Sequence, residues 1–447
     1  MEIKIAYIGG GSRGWAWGLM SDLASAKDLS GEVHLYDIDF EAAYANEIIG
    51  NQYSENWRYK ATKTIKEALT GANFVVISIL PGTFDEMESD VHTPEKYGIW
   101  QSVGDTAGPG GIIRAMRTVP MFEEIAENIK NYAPDAWVIN YTNPMTLCVK
   151  TLYRVFPEIK AFGCCHEVFG TQSLLAKMVE EEFGVLPDRD EIKVNPVSVN
   201  HFTWLTEARW KDIDLFPYYK KFCEKYKDGV PEQSDRNWMN SFFHSEEKVK
   251  IDLFRRFGWI AAAGDRHLAE FCPGNWYLES PERVKEMHFG LTPVSWRKEN
   301  LEKRLAKSRR LLSGEEKIEI KTTGEEGVRQ MRALLGLEDL ITNVNIPNIG
   351  QIPNLPLGAV VETNAAFRAG TVTPLMAGPI PEEILPLIGR VCAEQEALDK
   401  ALGERDVNAI FQQFAGDPLV TCGYEDAKKL FDEMCENTKE YLKDYEL

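Results

Sequence analysis

The sequence predicts an α/β chain built on a doubly wound parallel sheet. Three observations carry this. The apolar run Lys4-Ile5-Ala6-Tyr7-Ile8 feeds straight into Gly9-x-Gly11-x-x-Gly14. Strand-like and helix-like segments alternate through the first 170 or so residues. After about residue 195 the alternation gives way to mixed signals with no second glycine fingerprint. The expected organisation is a Rossmann-like domain, residues 1–195, with a C-terminal α+β domain, residues 196–447, packed against it and serving substrate, metal and oligomer contacts. At 447 residues the chain is longer than one core usually supports.

Each glycine of the first turn has a physical use. Gly9 permits the tight exit from the strand, Gly11 lets backbone approach a pyrophosphate, and Gly14 lets the following helix sit close. The helix would offer its N-terminal amides to the phosphates. A second strand, Gly31–Tyr36, ends in Asp37, 23 residues past Gly14. A carboxylate there accepts the adenosine ribose hydroxyls and repels a 2′-phosphate, so NAD is expected rather than NADP. A βαβ turn that binds nothing is the alternative for the glycine run alone.

Further along, 40–54 reads as a helix and Ala72–Leu80 as a buried strand stopped by Pro81-Gly82. A helix is expected over 118–132, a strand over Ala136–Tyr141, a helix over 145–155 and a strand over Lys160–Cys165. Ligands of such a sheet sit at the carboxyl ends of its strands. That rim collects Gly9, Gly10, Gly11, Ser12, Arg13, Asp37 and Pro81 as cofactor contacts, with Asn143, Cys165 and His166 beside them. In the second part, Val194–Val199 reads as a short strand. Lys248–Phe257 and parts of Glu315–Leu337 read as helix. Asn343–Glu362 has strand signals broken by Pro347, Pro353 and Pro356. Amphipathic helices are expected at about 381–402 and 424–444.

Composition narrows the partners. The net charge of −19 disfavours nucleic acid and anionic membrane, both of which need basic patches. No apolar stretch approaches a membrane span, and the first residues form a strand with no export signal, so a cytoplasmic location is expected. The eight Cys are then expected as thiols.

Three segments carry chemistry. Cys165-His166-Glu167 follows a strand at the rim, and Asn200-His201 follows Val194–Val199. Thiolate and imidazole both ligate divalent metals, although on the residues alone a buried Cys and a core His are the favoured explanation of the pair. Gly104–Gly111 is a glycine-rich loop carrying Asp105, with Arg114 and Arg117 soon after. It could close over a ligand or lie open at the surface. Gly264-Asp265-Arg266-His267-Leu268-Ala269-Glu270 puts acids, a base and a cation beside the apolar run Trp259–Ala263, where shifted pKa values suit acid–base work. A salt-bridged surface turn is the alternative.

Taken together these blocks resemble glycoside hydrolase family 4, the NAD- and metal-dependent glycosidases. The resemblance rests on Ile8-Gly9-Gly10-Gly11-Ser12, Tyr141-Thr142-Asn143-Pro144, Cys165-His166-Glu167-Val168, Val199-Asn200-His201-x-x-Trp204, and Val344-Asn345-Ile346-Pro347-Asn348-x-Gly350 with Val360-Val361-Glu362. The tetrad Cys165–Val168 is similar to that of the α-galacturonidase branch. The resemblance implies hydrolysis of α-galacturonosides, fragments of pectin, by a route outside the two-carboxylate rule. C3 is oxidised by NAD+, C2 is deprotonated, the C1 group is eliminated, water adds, and C3 is reduced again. It implies Cys165 and His201 as ligands of Mn2+, with Co2+, Ni2+ or Fe2+ as alternatives. It implies Asp105, Asp265, His166 and His267 as acid–base groups, either Asp265 or His267 taking the C2 proton. Asn143, Glu167, Arg114 and Arg266 are expected to contact substrate, with Arg114, Arg117 or Arg266 pairing with its carboxylate. A homodimer or homotetramer is expected. Another α-glycosidase of the family, an α-glucuronidase or α-galactosidase, and a lactate/malate-type NAD-dependent dehydrogenase are the alternatives; a non-enzymatic nucleotide-binding regulator fits less well.

Overall fold

The computed structural model describes residues 1–230, 245–291 and 293–447. Its strands are β1 Glu2–Ile8, β2 Ser30–Tyr36, β3 Trp57–Thr62, β4 Phe74–Ile77, β5 Trp137–Asn140 and β6 Lys160–Gly163. Then come β7 Ile192–Val197, β8 Trp204–Trp210, β9 Ile213–Asp214, β10 Ile260–Ala261, β11 Leu340–Pro347, β12 Val360–Arg368 and β13 Thr371–Pro374. The main sheet has nine strands in the order β13-β12-β11-β6-β5-β4-β1-β2-β3. Its β3-β2-β1-β4-β5-β6 portion is parallel throughout, the dinucleotide-binding arrangement. Val33, Val75, Val76, Ile77, Val138 and Ile139 are buried because helices cover both faces.

The C-terminal part does more than lie against this sheet. Its β11 pairs antiparallel with β6 through Asn345 and Gly163, and β12 and β13 extend the edge. A smaller sheet of β10, β8 and β7, with β9 on β8, flanks it. One apolar core unites Ile113 and Met116 with Phe202 and Trp204, and with Ile388 and Phe414 near the C-terminus. The chain therefore threads the same sheet and core from both sides of residue 195, and β7 itself spans that point.

Two expectations are corrected. The helix expected over 118–132 runs from Gly108 to Tyr132, so the second half of the glycine-rich segment is its buried first turn. A Cβ on Gly110 would lie 2.8 Å from the Asp90 carbonyl oxygen and 2.9 Å from that of Gly104. The glycines serve close packing there and do not make a surface flap. The helix expected within Glu315–Leu337 is confined to Gly327–Leu334.

Arg117 also differs from its expectation as a substrate cation. Its guanidinium forms a fork with the fully buried Asp90 carboxylate, at 3.0 and 2.5 Å, and its Nε donates to the Pro81 carbonyl at 3.4 Å. Both side chains have no exposed surface. The pair pins the turn after β4 to the long helix. Asp90→Ala would strand a buried cation and is expected to cost about 3–5 kcal/mol. A fall in melting temperature for Asp90→Ala, largely restored in Asp90→Leu/Arg117→Met, is the check.

Candidate active site

The strand β1 ends at the glycine turn. Gly9 has φ of +92°, and a side chain there would collide with the Ser78 carbonyl. The amides of Gly9 and Gly10 both donate to the Tyr36 carbonyl at 2.9 Å, closing the turn against β2. Asp37 follows β2 and accepts from the Gly11 amide at 2.9 Å and the Asp39 amide at 3.0 Å. Each oxygen keeps lone pairs for a further donor. The helix Trp15–Ser25 starts at Gly14 with no side-chain cap and no acid in its first turn. Its leading amides are thus left for an anion.

Across the rim, Asp105, His201 and His267 converge. One ligand atom from each lies within 4.8 Å of the others, a spacing that could hold a metal ion. The two imidazole rings lie 4.2 Å apart between centroids, tilted by 32°. Thr106 Oγ1 donates to Asp105 Oδ1 at 2.7 Å and lies 3.3 Å from His201 Nδ1. Asn143 Nδ2 donates to Asp105 Oδ2 at 3.3 Å, and Arg114 Nε donates to the Asn143 carbonyl at 3.2 Å. Burial opposes ionisation of Asp105, yet Arg114, His267 and His201 outweigh it and hold the carboxyl at about 2. Burial and the neighbouring His267 push His201 down to about 3. The site therefore presents a carboxylate and a neutral imidazole, the forms a divalent cation binds. Among the described residues, His267 Nδ1 and Asn143 Oδ1 are buried and have no hydrogen-bond partner. Buried polar atoms are normally satisfied, so these two mark where a ligand would bond.

Glu167 borders the cluster. Its Oε2 accepts from the Gly264 amide at 2.7 Å, and its Oε1 lies 3.7 Å from His267 Nε2 and 3.8 Å from His166 Nε2. Burial would raise its pKa, but His267, His166 and His201 together with that amide hold it at about 2. His166 Nδ1 lies 3.1 Å from Glu325 Oε1. Burial disfavours its charge, and Glu325 overrides this to bring it up to about 9. Cys165 is buried beside Glu362 and Glu167, and burial drives its thiol well above the ordinary value. The Asp105–His201–His267 triad does not include it.

Asp265 stands apart from the triad. Its oxygens accept from the Val249 amide at 3.1 Å and the Lys250 amide at 3.0 Å, capping the helix Lys248–Phe257. Burial, with Glu247 nearby, raises its pKa. Arg266 donates from Nε to the Gly290 carbonyl at 3.1 Å and from Nη2 to the Ser102 carbonyl. It lies close enough to Glu167 and Asp105 to feel both charges.

Comparison with known proteins fits this geometry. Residues 4–181 match the family 4 glycosyl hydrolase model, and residues 197–420 match the model of that family's C-terminal domain. The chain belongs to the family 4 glycosyl hydrolases. An alpha-galacturonidase of Thermoanaerobacterium saccharolyticum is 61% identical over 99% of this chain and 97% of its own. The crystal structure of a candidate glucosidase, lplD, from Bacillus subtilis superposes with a TM-score of 0.93 at 51% identity, covering 97% of this chain and 100% of that one. The 6-phospho-beta glucosidase of Thermotoga maritima, solved with manganese, NAD+ and glucose-6-phosphate, shares the fold at 21% identity and a TM-score of 0.79, over 99% of each chain.

In this family 4 chain, Glu362 and Glu325 were given no role from the sequence, and Glu270, expected only as a member of the acid–base cluster, supports the Asp105 loop. Glu362, quoted there only within a motif, is fully buried and ties three site segments together. Glu325 pairs with His166. Glu270 holds the Asp105 loop, its Oε1 accepting from the Val103 amide at 2.7 Å and the Gly104 amide at 2.9 Å. An acid at any of these positions looks like surface charge until tertiary burial is known.

Burial pushes Glu270 up to about 8, against the two amides that favour its charge. The folded chain thus keeps a proton that the unfolded chain releases from 4.5 upward. Stability from this group is present below that value and is lost as pH climbs toward 8. Glu270→Gln keeps an acceptor oxygen and cannot ionise. Its melting temperature is expected to fall less than the wild type's between pH 6 and pH 8. Parallel curves would refute the assignment.

Proposed function

We propose that this chain is an α-galacturonidase that releases galacturonic acid from small pectin-derived α-galacturonosides with NAD and a divalent metal, Mn2+ foremost. The convergence of Asp105, His201 and His267 at the carboxyl ends of a dinucleotide-binding sheet carries the reading. The high identity to an alpha-galacturonidase over nearly the whole chain supports the sugar class.

The chain's residues fit both groups. The open amides at Gly14, the Gly9–Gly11 turn and the Asp37 carboxylate suit a dinucleotide, with Ser12, Arg13 and Pro81 lining it. His201, neutral and buried, suits a metal, with Cys165 as the expected thiolate partner and Asp105 within reach. When bound, the dinucleotide supplies a reversible hydride acceptor, and the cation stabilises negative charge developing on substrate oxygens. The protein does the rest. Asn143 and Arg114 orient the sugar. Arg266 and Arg114 give the site the positive field a uronate carboxylate requires, in an otherwise acidic chain. His267 is the better C2 base, because Asp265 spends both oxygens on backbone amides. His166, charged through Glu325, is suited to protonate the leaving oxygen. Asp105 is ionised and cannot donate a proton near neutrality.

An assay on digalacturonic acid and an aryl α-galacturonide, omitting Mn2+, NAD+ or thiol reductant one at a time, tests the proposal. Sugar release that needs all three, with no net NADH, is expected. Release only from another α-glycoside would discard the sugar class, and accumulating NADH without release would favour a dehydrogenase. His201→Ala and Cys165→Ser are each expected to lose bound Mn2+ by elemental analysis while NAD+ binding persists. A Cys165→Ser protein with full metal content would remove the thiolate from the ligand set. His267→Ala is expected to slow exchange of the substrate C2 proton with solvent deuterium by about 10²–10⁴-fold. Asp265→Asn is expected to lower the melting temperature more than the exchange rate.

A further inference from the structure

Helix Val294–Ser313 crosses from the reaction centre to the glycine turn. Arg297 and Arg304 lie seven residues apart on it, about 10 Å along one face. Arg297 is close enough to Asp105, Arg114 and Arg304 to feel their charges. Arg304 reaches the other end of the site. A Cβ added to Gly14 would collide with its Nη1, and Cζ and Nη2 lie within 4 Å of the same point. Three other cations of this helix have acids: Lys298 meets Asp85 at 2.6 Å, Lys307 meets Glu316 at 3.6 Å and Arg310 meets Glu316 at 2.9 Å. Arg304 has neither a hydrogen bond nor an ion pair among the described residues, although it is partly buried. Burial alone lowers its pKa, with no carboxylate acting against it. A guanidinium taken partly out of water and set near a second one costs free energy that an anion would offset.

We propose that Arg304 is a cofactor-binding residue that grips the dinucleotide pyrophosphate from the C-terminal side, opposite the open amides at Gly14. The proposal rests on the NAD reading above. Five N–H donors in a planar fork match two adjacent phosphate oxygens, and the fork lies beside the glycine that begins the phosphate-facing helix. It also gives the glycine at 14 a second reason. Its missing Cβ makes room for the guanidinium as well as for the helix. The C-terminal part would then hold the cofactor directly.

The test is titration of full-length wild type and Arg304→Met with NAD+ and with ADP-ribose, at low and high NaCl. Wild type is expected to bind both. The variant is expected to lose on the order of tenfold or more for each, by the same factor, with an unchanged melting temperature in the absence of ligand. Its affinity should also fall less steeply with salt, because one phosphate contact is gone. Unchanged affinity overturns the proposal. So does weaker binding with the wild-type salt slope, which would mark a structural role. A wild type that binds neither ligand removes the NAD reading and this residue's role together, whereas wild-type binding with an unaffected variant removes only the latter.

Discussion

The buried carboxylate of Glu362 is the constraint on which the site is built. The residue sits on β12 with no exposed surface. Its Oε1 accepts from Asn343 Nδ2 at 2.8 Å, and its Oε2 accepts from Asn200 Nδ2 at 3.4 Å and from Thr203 Oγ1. Asn343 Nδ2 also reaches the Cys165 carbonyl at 3.2 Å. One acid therefore fixes the backbone after β6, the loop that carries His201 and the strand β11. Burial raises its pKa against these bonds. A buried acid is tolerable when every oxygen has a donor, and such a network specifies one arrangement. The bond from its amide to the Ser198 carbonyl, 2.8 Å, adds a backbone tie to the same loop.

Around that anchor, signs of charge alternate at short range. Arg114 faces Asp105, Asp105 faces two imidazoles, and Glu167 faces His267 and His166. Each carboxylate is kept ionised by its neighbours and His201 is kept neutral, so the protonation states are set before any ligand arrives. Electrostatic preorganisation of this kind is effective only if the groups cannot relax. Glu270 holds the Asp105 loop by its amides, and the glycine-rich first turn of the long helix packs against Asp90 and Gly104. The loop that looked mobile by composition is thereby made rigid by the absence of side chains.

The sequence was most legible where a physical demand is local. Gly9, Gly11 and Asp37 serve a turn and a hydrogen bond, and their spacing showed it. The helix Lys248–Phe257 was delimited by its own apolar periodicity and Gly258. β4 is a continuous apolar run, and β1 and β5 carry the apolar runs Ile5–Ile8 and Trp137–Ile139. Legibility failed where tertiary context decides. Helix Val294–Ser313 buries only Val294, Ser308 and Leu311, so its pattern reads as polar throughout and Arg297 and Arg304 were not seen. β3 is an edge strand with its polar residues outward. Asp265 and His267 are two positions apart, and no local rule tells which of them faces the triad. Cys165 and His201 were placed near one another only through the family resemblance, and the convergence of Asp105 with His201 and His267 was not foreseen.

The shared sheet explains why the two parts cannot be treated as independent modules. Were β11 and β12 a separate layer, Glu362 would have no route to Cys165 and Asn200. Because β11 hydrogen-bonds to β6, the C-terminal strands continue the plane whose strand ends form the rim. Their side chains then enter the site from beneath, while helix Val294–Ser313 spans it from the glycine turn to Asp105. Residues on the N-terminal side supply the dinucleotide turn, Asp105 and Asn143. Residues on the C-terminal side supply His201, His267 and the acid that holds the His201 loop. Neither half contains a complete donor set, so the geometry that the chemistry requires exists only when the chain has closed both onto one sheet.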